Sequence, residues 1–555
     1  ITSDTPGTYT IDATTTDTDV EGELFDLDAE AVEKTYVDAW IRLTPLDDTN
    51  AVDDPHTVTA TVMWDDGDGP YPATLTELEF TVSAGAGFVG NVDTCTTDGL
   101  GQCSVQIVSD TTGTYTINAS GTVDAGGIDV DVTTDGSGNN GEAVSKTYVD
   151  ARLTLDPPEA TNAVGDDHEV TATVEADLGD GLWVPVVGET VTFTVSTGAT
   201  FVGPDSCVTI GDGTCSVFIT SDDTGTYTID ASTSGTDVDG VTFDLDADAV
   251  SKTYVDAWIT ITPQEGVNEV GDPHTLTAAV MWDDGTGPYP AVGFDVEFDP
   301  EPAGAGFVGG ISLCMTNVLG ECSVQLISDT PGTYVITATS TVNIDGVIFD
   351  LTTDGTGSNS TPAAKTYVDA RIDITPLVDR NPVDEPHTFT ATVSVDTGSG
   401  WVPAVDNTLV TFSFETNDAS AFFVGGVNTC LTTAGTCDVT INAPSAGLVV
   451  VSATTDVNVE GEILTRTTGT TGNGDNAVKT YEEPPDLIVV KTNDANRDGV
   501  FTDTESTGWP AYPNGFGNEY YEYRFSFADG TVIEGWSETN EASIAGFGDT
   551  FHLSC

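Results

Sequence analysis

The six residues KTYVDA occur at Lys34, Lys146, Lys252 and Lys365, and a shortened KTYEE begins at Lys479. Successive copies are 112, 106, 113 and 114 residues apart. A fixed period constrains a chain more than any other signal, because it divides the chain into units that must fold alike. A unit of about 110 residues has the common size of one domain. The 555 residues therefore hold several small domains in series. We expect the closing part of an incomplete unit at 1–35, then units at 36–147, 148–253, 254–366 and 367–485, and a distinct β segment at 486–555.

Within a unit the pattern is that of short strands. After KTYVD, the stretch ARLTLDPP reads as a first strand closed by prolines. In HEVTATVEA, Val170, Ala172 and Val174 alternate with polar residues, the mark of a strand with one buried face. The same strand recurs as HTVTATVMW, HTLTAAVMW and HTFTATVSV. Phe88, Phe201, Phe307 and Phe423 each open a recurring FVG, and GTY recurs at Gly7, Gly113, Gly225 and Gly332. Seven or so strands with turn signals every 8–12 residues predict a β-sandwich, and no helical period competes. Units alternate in type: two carry MWDDGDGPYPA or MWDDGTGPYPA, and two carry WVPVV or WVPAV.

The order of a Thr-rich strand, a VTFTVS strand, the block ending SDTTGTYTINA and a return strand resembles the bacterial immunoglobulin-like repeats, nearest the type in invasin and intimin surface adhesins. The resemblance spans about residues 40–485 and part of 1–39. It implies an all-β chain of tandem immunoglobulin-like β-sandwiches arranged end to end, often used as stalks. The acidity and the paired cysteines depart from that pattern.

Acidic residues number 91 against 13 basic ones, a net charge of −78. Such a surface repels nucleic acid and anionic membranes. It suits either high salt, where the Debye length falls to about 3 Å at 1 M, or the collection of divalent cations. No apolar run approaches the roughly 18 residues of a membrane span. Eight cysteines form one close pair per unit: Cys95/Cys103, Cys207/Cys215, Cys314/Cys322 and Cys430/Cys437, with Cys555 left over. Each pair flanks a Gly-bearing turn, so we expect a disulfide across neighbouring hairpin strands, and an extracellular or cell-surface location. Zinc is disfavoured, because two thiolates make half a site.

KTYVDA falls where the last strand of one unit passes to the first strand of the next. No Gly/Ser-rich spacer intervenes, so neighbouring units should be held with little freedom. Tyr36, Tyr148, Tyr254 and Tyr367 are expected to pack at this joint. Five of the chain's six lysines occupy it. Two readings stay open for them: a partly exposed ion pair with nearby acids, or an intramolecular amide to an asparagine. His56, His168, His274 and His387, in the recurring N-x-V-x-x-x-H, read as capping or packing residues.

In 486–555, DANRDGVFTDTE fits a twelve-residue calcium loop, with Asp494, Asn496, Asp498, the Val500 carbonyl and Glu505 as ligands. It resembles the calcium loops in B repeats of serine–aspartate surface proteins, which implies calcium as a stiffening ion. Asn118 and Asn359 lie in glycosylation sequons. Acids such as those of WDDGDG suit solvated turns better than catalysis, and no nucleophile–base order or phosphate loop is present, so an enzyme is not expected. Both ends read as broken units, as in a segment of a longer protein or a subunit completed by its neighbour. The expected function is a structural one: a rigid rod on the order of 150–200 Å, in a filament or surface layer. Its partners would be head-to-tail copies of itself or a cell-surface anchor. The alternative is an adhesin stalk, whose binding tip is absent or lies in 486–555, or whose Trp/Tyr loops contact sugars.

Overall fold

The computed structural model describes residues 1–483 and, beyond them, the strands Tyr521–Ser526, Val532–Ser537, Glu541–Ser543 and Thr550–His552. Four complete sandwiches follow one another. In the first, Asp38–Thr44, His56–Asp65 and Gln102–Val108 form one antiparallel sheet. The facing sheet is built on Glu77–Val82, Gly113–Asp124 and the start of Val144–Asp156. The alternation in HTVTATV puts Val58, Ala60 and Val62 between the sheets, against Leu78, Phe80 and Ile117. Full burial of one such side chain contributes roughly 1.5–3 kcal/mol, which is why the two-residue period dictates the face. The other three units repeat the arrangement around their own cores.

The prolines after the first strand stand where the chain crosses between sheets. The Thr44–Pro45, Asp156–Pro157, Thr262–Pro263 and Thr375–Pro376 bonds are cis. Beyond the first of them, Asp47–Ala51 joins the opposite sheet, parallel to Val144–Asp156. The FVG motif becomes a single 3₁₀ turn in three units, with Gly90, Gly309 and Gly425 at φ of +67, +70 and +74°, a conformation that glycine adopts without steric cost.

The joint between units is a single strand. Residues 144–148 pair with Gly113–Ile117 of the first unit, and residues 150–156 pair with Thr171–Asp177 of the second. The changeover falls at Val149, which is fully buried. Val250–Thr262 and Ala363–Thr375 repeat this crossing. Between Val32–Tyr36 and Asp38–Thr44 the strand is interrupted at Val37. The N-terminal residues form two small ladders, Gly7–Ile11 with Val32–Tyr36 and Thr14–Val20 with Glu23–Asp28, and Leu24, Phe25, Leu27 and Val32 stand exposed.

Backbone also meets backbone across the joints. A Cβ on Gly285 would lie 2.5 Å from Gly225 Cα, and one on Gly398 would lie 2.5 Å from Gly332 Cα. Thr112 Oγ1 of the first unit donates to Asp177 Oδ2 of the second at 2.6 Å. Arg466 of the fourth unit reaches Glu269 of the third at 2.7 Å and Asp369 at 2.8 Å.

The cysteines pair as Cys95–Cys103, Cys207–Cys215, Cys314–Cys322 and Cys430–Cys437, with Cα atoms 5.7–5.8 Å apart. The expected hairpin is not what carries them. Cys95 lies on Thr94–Thr96, which pairs with Glu77–Val82, whereas Cys103 lies on Gln102–Val108 in the opposite sheet. The turn between them arches from sheet to sheet, and the bond staples the sandwich shut. Closing so short a loop stabilises by about 2–3 kcal/mol in the chain-entropy account.

Candidate functional site

One cluster of polar side chains recurs in all four complete units, at the end next to the joint. Its lysine comes from the last strand, and its asparagine comes from the parallel strand beside it. The parallel register sets Lys146 opposite Asp48, and Tyr148 opposite Asn50. From there the Lys146 ammonium donates to Asn50 Oδ1. Lys252 meets Asn162 at 2.6 Å, Lys365 meets Asn268, and Lys479 meets Asn381. The four lysines are 1%, 0%, 1% and 0% exposed. The expectation of partly exposed ion pairs is therefore corrected. The parallel strand roofs the lysine over, and only two of the four have a carboxylate within reach. Lys34, in the N-terminal unit, is exposed.

The four histidines belong to this cluster, which their reading as capping or packing residues missed. His387 Nδ1 lies 3.2 Å from Lys479 Nζ and 3.1 Å from Asp379 Oδ2, while its Nε2 is buried without a partner. His56 Nδ1 lies 3.1 Å from Asp48 Oδ2, and Lys146 lies 3.1 Å from the same oxygen. In the second and third units the residue opposite lysine is Ala160 or Gly266. A Cβ on Gly266 would stand 3.2 Å from Lys365 Nζ and 3.1 Å from the His274 ring, so amine and imidazole share one small space there too.

Burial governs the electrostatics. It lowers His168 to about 4, with the Lys252 charge adding to the effect, and it lowers His56, His274 and His387 in the same direction. These imidazoles are neutral near pH 7. Burial also lowers Lys252 and Lys365 to about 8. Lys146 and Lys479 are lowered for the same reason, against the pull of Asp48 and Asp379. An ammonium taken from water without a counter-charge is costly, so the proton is held loosely. Each cluster thus brings together a readily freed amine, a carboxamide and a neutral imidazole.

The lysine is flanked by an aromatic pair. Lys146, Lys252, Lys365 and Lys479 lie 5.2–5.7 Å from the rings of Tyr148, Tyr254, Tyr367 and Tyr481. Tyr148 donates to the Ile107 carbonyl in the facing sheet at 2.9 Å and meets Tyr115 edge-on at 6.1 Å. These tyrosines close their own sandwich and do not bridge to the next. Burial pushes the Tyr148 hydroxyl up to about 12.

The remaining candidates are dispersed. Asp65 Oδ1 accepts from the amides of Gly67 at 2.7 Å and Gly69 at 3.3 Å, so the WDDGDG acid ties its own turn. Trp64 is half-buried and packs on Tyr71 at 5.0 Å, and Trp282 does the same with Tyr289. Among the described residues, no group of three or more His, Cys, Asp or Glu is placed to hold a metal. Asn359 uses its Oδ1 to accept from the Ile259 amide at 2.9 Å, and Asn118 sits half-buried within the strand Gly113–Asp124. Asp494, Asn496, Asp498, Val500, Glu505 and Cys555 lie outside the described residues.

The strand order and the sandwich cores define the class: a tandem array of immunoglobulin-like domains. No protein-family model matches the chain. Among solved structures it is similar to invasin, titled a bacterial integrin-binding protein, at 14% identity over 90% of this chain and 97% of that one, with a TM-score of 0.27. The D0–D1 domain of intimin matches at 22% identity over 39% of this chain and 97% of its own, with a TM-score of 0.15. The D1–D4 ectodomain fragment of ICAM-5 matches at 13% over 80% and 100%, with a TM-score of 0.26. Scores this low carry no functional weight, and the fold rests on the strand pairing itself.

Proposed function

We propose that the chain is a load-bearing segment of an extracellular, cell-surface rod. The observation that carries this reading is the uninterrupted strand at each joint between the four complete units, hydrogen-bonded to one sandwich on its first half and to the next on its second. Swinging one domain against its neighbour would break those ladders, so the joints transmit tension and resist bending. The sheet-to-sheet disulfides support the same role and an oxidising compartment for it. A filament or surface layer built of head-to-tail copies fits better than a sugar-binding surface, because the Trp64 and Trp282 loops spend their aromatic faces on their own tyrosines.

Small-angle scattering of the full chain at high salt tests the rod. A compact globule of this length would have a radius of gyration of about 24 Å. The rod predicts at least 1.5 times that value, with the cross-section of a single domain. A value near the globular one would overturn it.

A further inference from the structure

We propose that each of the four buried lysines becomes covalently joined to its asparagine, Lys146 to Asn50, Lys252 to Asn162, Lys365 to Asn268 and Lys479 to Asn381, in an amide bond that the protein forms by itself. The inference goes beyond the rod reading and does not depend on it. Lysine, asparagine and histidine recur together in four units, while the position opposite lysine varies as Asp48, Ala160, Gly266 and Asp379. Ion pairing therefore does not account for the lysine, since in two units it makes no salt bridge and acids act on it only from beyond direct contact. A cation in that setting is a standing penalty. A neutral amide in its place removes the penalty and fills the same space.

The chemistry needs no outside reagent. The free amine Nζ attacks Asn Cγ, and a C–N bond forms. The proton lost from the attacking nitrogen passes to the neutral histidine, whose Nδ1 is 3.2 Å from Nζ in the fourth unit. The histidine returns that proton to Nδ2 as the Cγ–Nδ2 bond breaks, and ammonia leaves. One amine and one primary amide become one secondary amide and one ammonia, with no change of oxidation state. Asp48 and Asp379 stabilise the transient imidazolium in their units. Effective concentration does the rest, because the fold presents the buried amine in contact with a half-buried carboxamide. His387 here is a catalytic residue in the strict sense, since it touches the reacting nitrogen.

Placement gives the bond its consequence. The linked residues are 96, 90, 97 and 98 apart, so each amide encloses nearly a whole unit between a strand near its start and its last strand. Tension along the chain would pass through the bond and bypass the strands between.

The test is the intact mass of the full chain, denatured and reduced. The expected result is a mass below that of the sequence by four ammonias, with cross-linked peptides pairing each lysine to its asparagine. The plain sequence mass overturns the proposal, and any pair recovered as separate peptides overturns it for that unit. Asn162→Ala should lower the deficit to three. His387→Ala should leave Lys479 and Asn381 unlinked, with the other three bonds reporting that the chain still folds. Four bonds in His387→Ala would overturn the role given to histidine.

Discussion

At the scale of single residues, the chain places its rarest side chains where they are hardest to accommodate. Lysine is among the residues least often buried, yet four of the six here are sealed inside. The neutral histidine beside each one gives a measurable sign. His168 has its folded pKa depressed to about 4, below its ordinary value of 6.5. The unfolded state therefore binds the proton more readily. Its contribution to stability is fully present above about pH 6.5 and is lost as pH falls towards 4. An NMR titration of the histidine ring protons should show the His168 midpoint at least one unit below 6.5, with the other three cluster histidines also displaced downward. A His168 midpoint at 6.5 would mean that water reaches the ring and that the sealed cluster is wrong. The sequence held half of this centre in view: the N-x-V-x-x-x-H spacing and the repeated lysine were both legible. Their meeting was not, because about 90 or more residues separate asparagine from lysine and only the parallel pairing in the folded sheet brings them together.

At the scale of the element, what the sequence disclosed and what it withheld divide along the range of the interaction. Strand faces follow a two-residue period, so Val170, Ala172 and Val174 were placed in the core by pattern alone, and all three are fully buried. The disulfide was misjudged in geometry because eight residues of separation suit a hairpin, whereas the turn crosses between sheets. The joint shows the same limit: KTYVDA marked the place, but the continuity of the strand depends on ladders from two domains. The glycine contacts at that joint lead to a paired prediction. Gly285 and Gly287 both have positive φ, +92 and +125°, so alanine strains the backbone at either position. Only at Gly285 would the new Cβ also strike the Gly225 backbone across the joint, since nothing lies within 4 Å of the same atom at Gly287. Gly285→Ala should therefore cost an additional ~1–3 kcal/mol, felt at the joint between the second and third units. Amide exchange at Thr224–Thr226 should quicken roughly tenfold or more in Gly285→Ala relative to Gly287→Ala. Equal exchange in the two variants would show that the close approach at the joint is not maintained in solution.

At the scale of the whole molecule, the decisive quantity is a net charge of −78 distributed over a string of small domains. Self-repulsion of that size opposes every compact unit, and it acts over a Debye length of about 30 Å at 0.01 M salt but only about 3 Å at 1 M. The two uses of an acidic surface, tolerance of high salt and collection of divalent cations, part company here. In the described units the loop carboxylates such as Asp65 and Asp283 are turned onto their own backbone amides, and no cluster of three or more ligating side chains converges. The prediction for these units is stabilisation by ionic strength rather than by one particular ion. Raising sodium chloride from 0.01 to 1 M should slow amide exchange across the residues between 38 and 483 and raise their unfolding temperature by several degrees, in line with a gain of about 1 kcal/mol or more per domain. Calcium chloride at matched ionic strength should do no more than sodium chloride over those residues. Stabilisation by millimolar calcium, measured in the same units against a sodium background of equal ionic strength, would instead make the acidic surface a cation-collecting one. The proposed rod would then owe any stiffness to bound ions as well as to the strands that run through its joints.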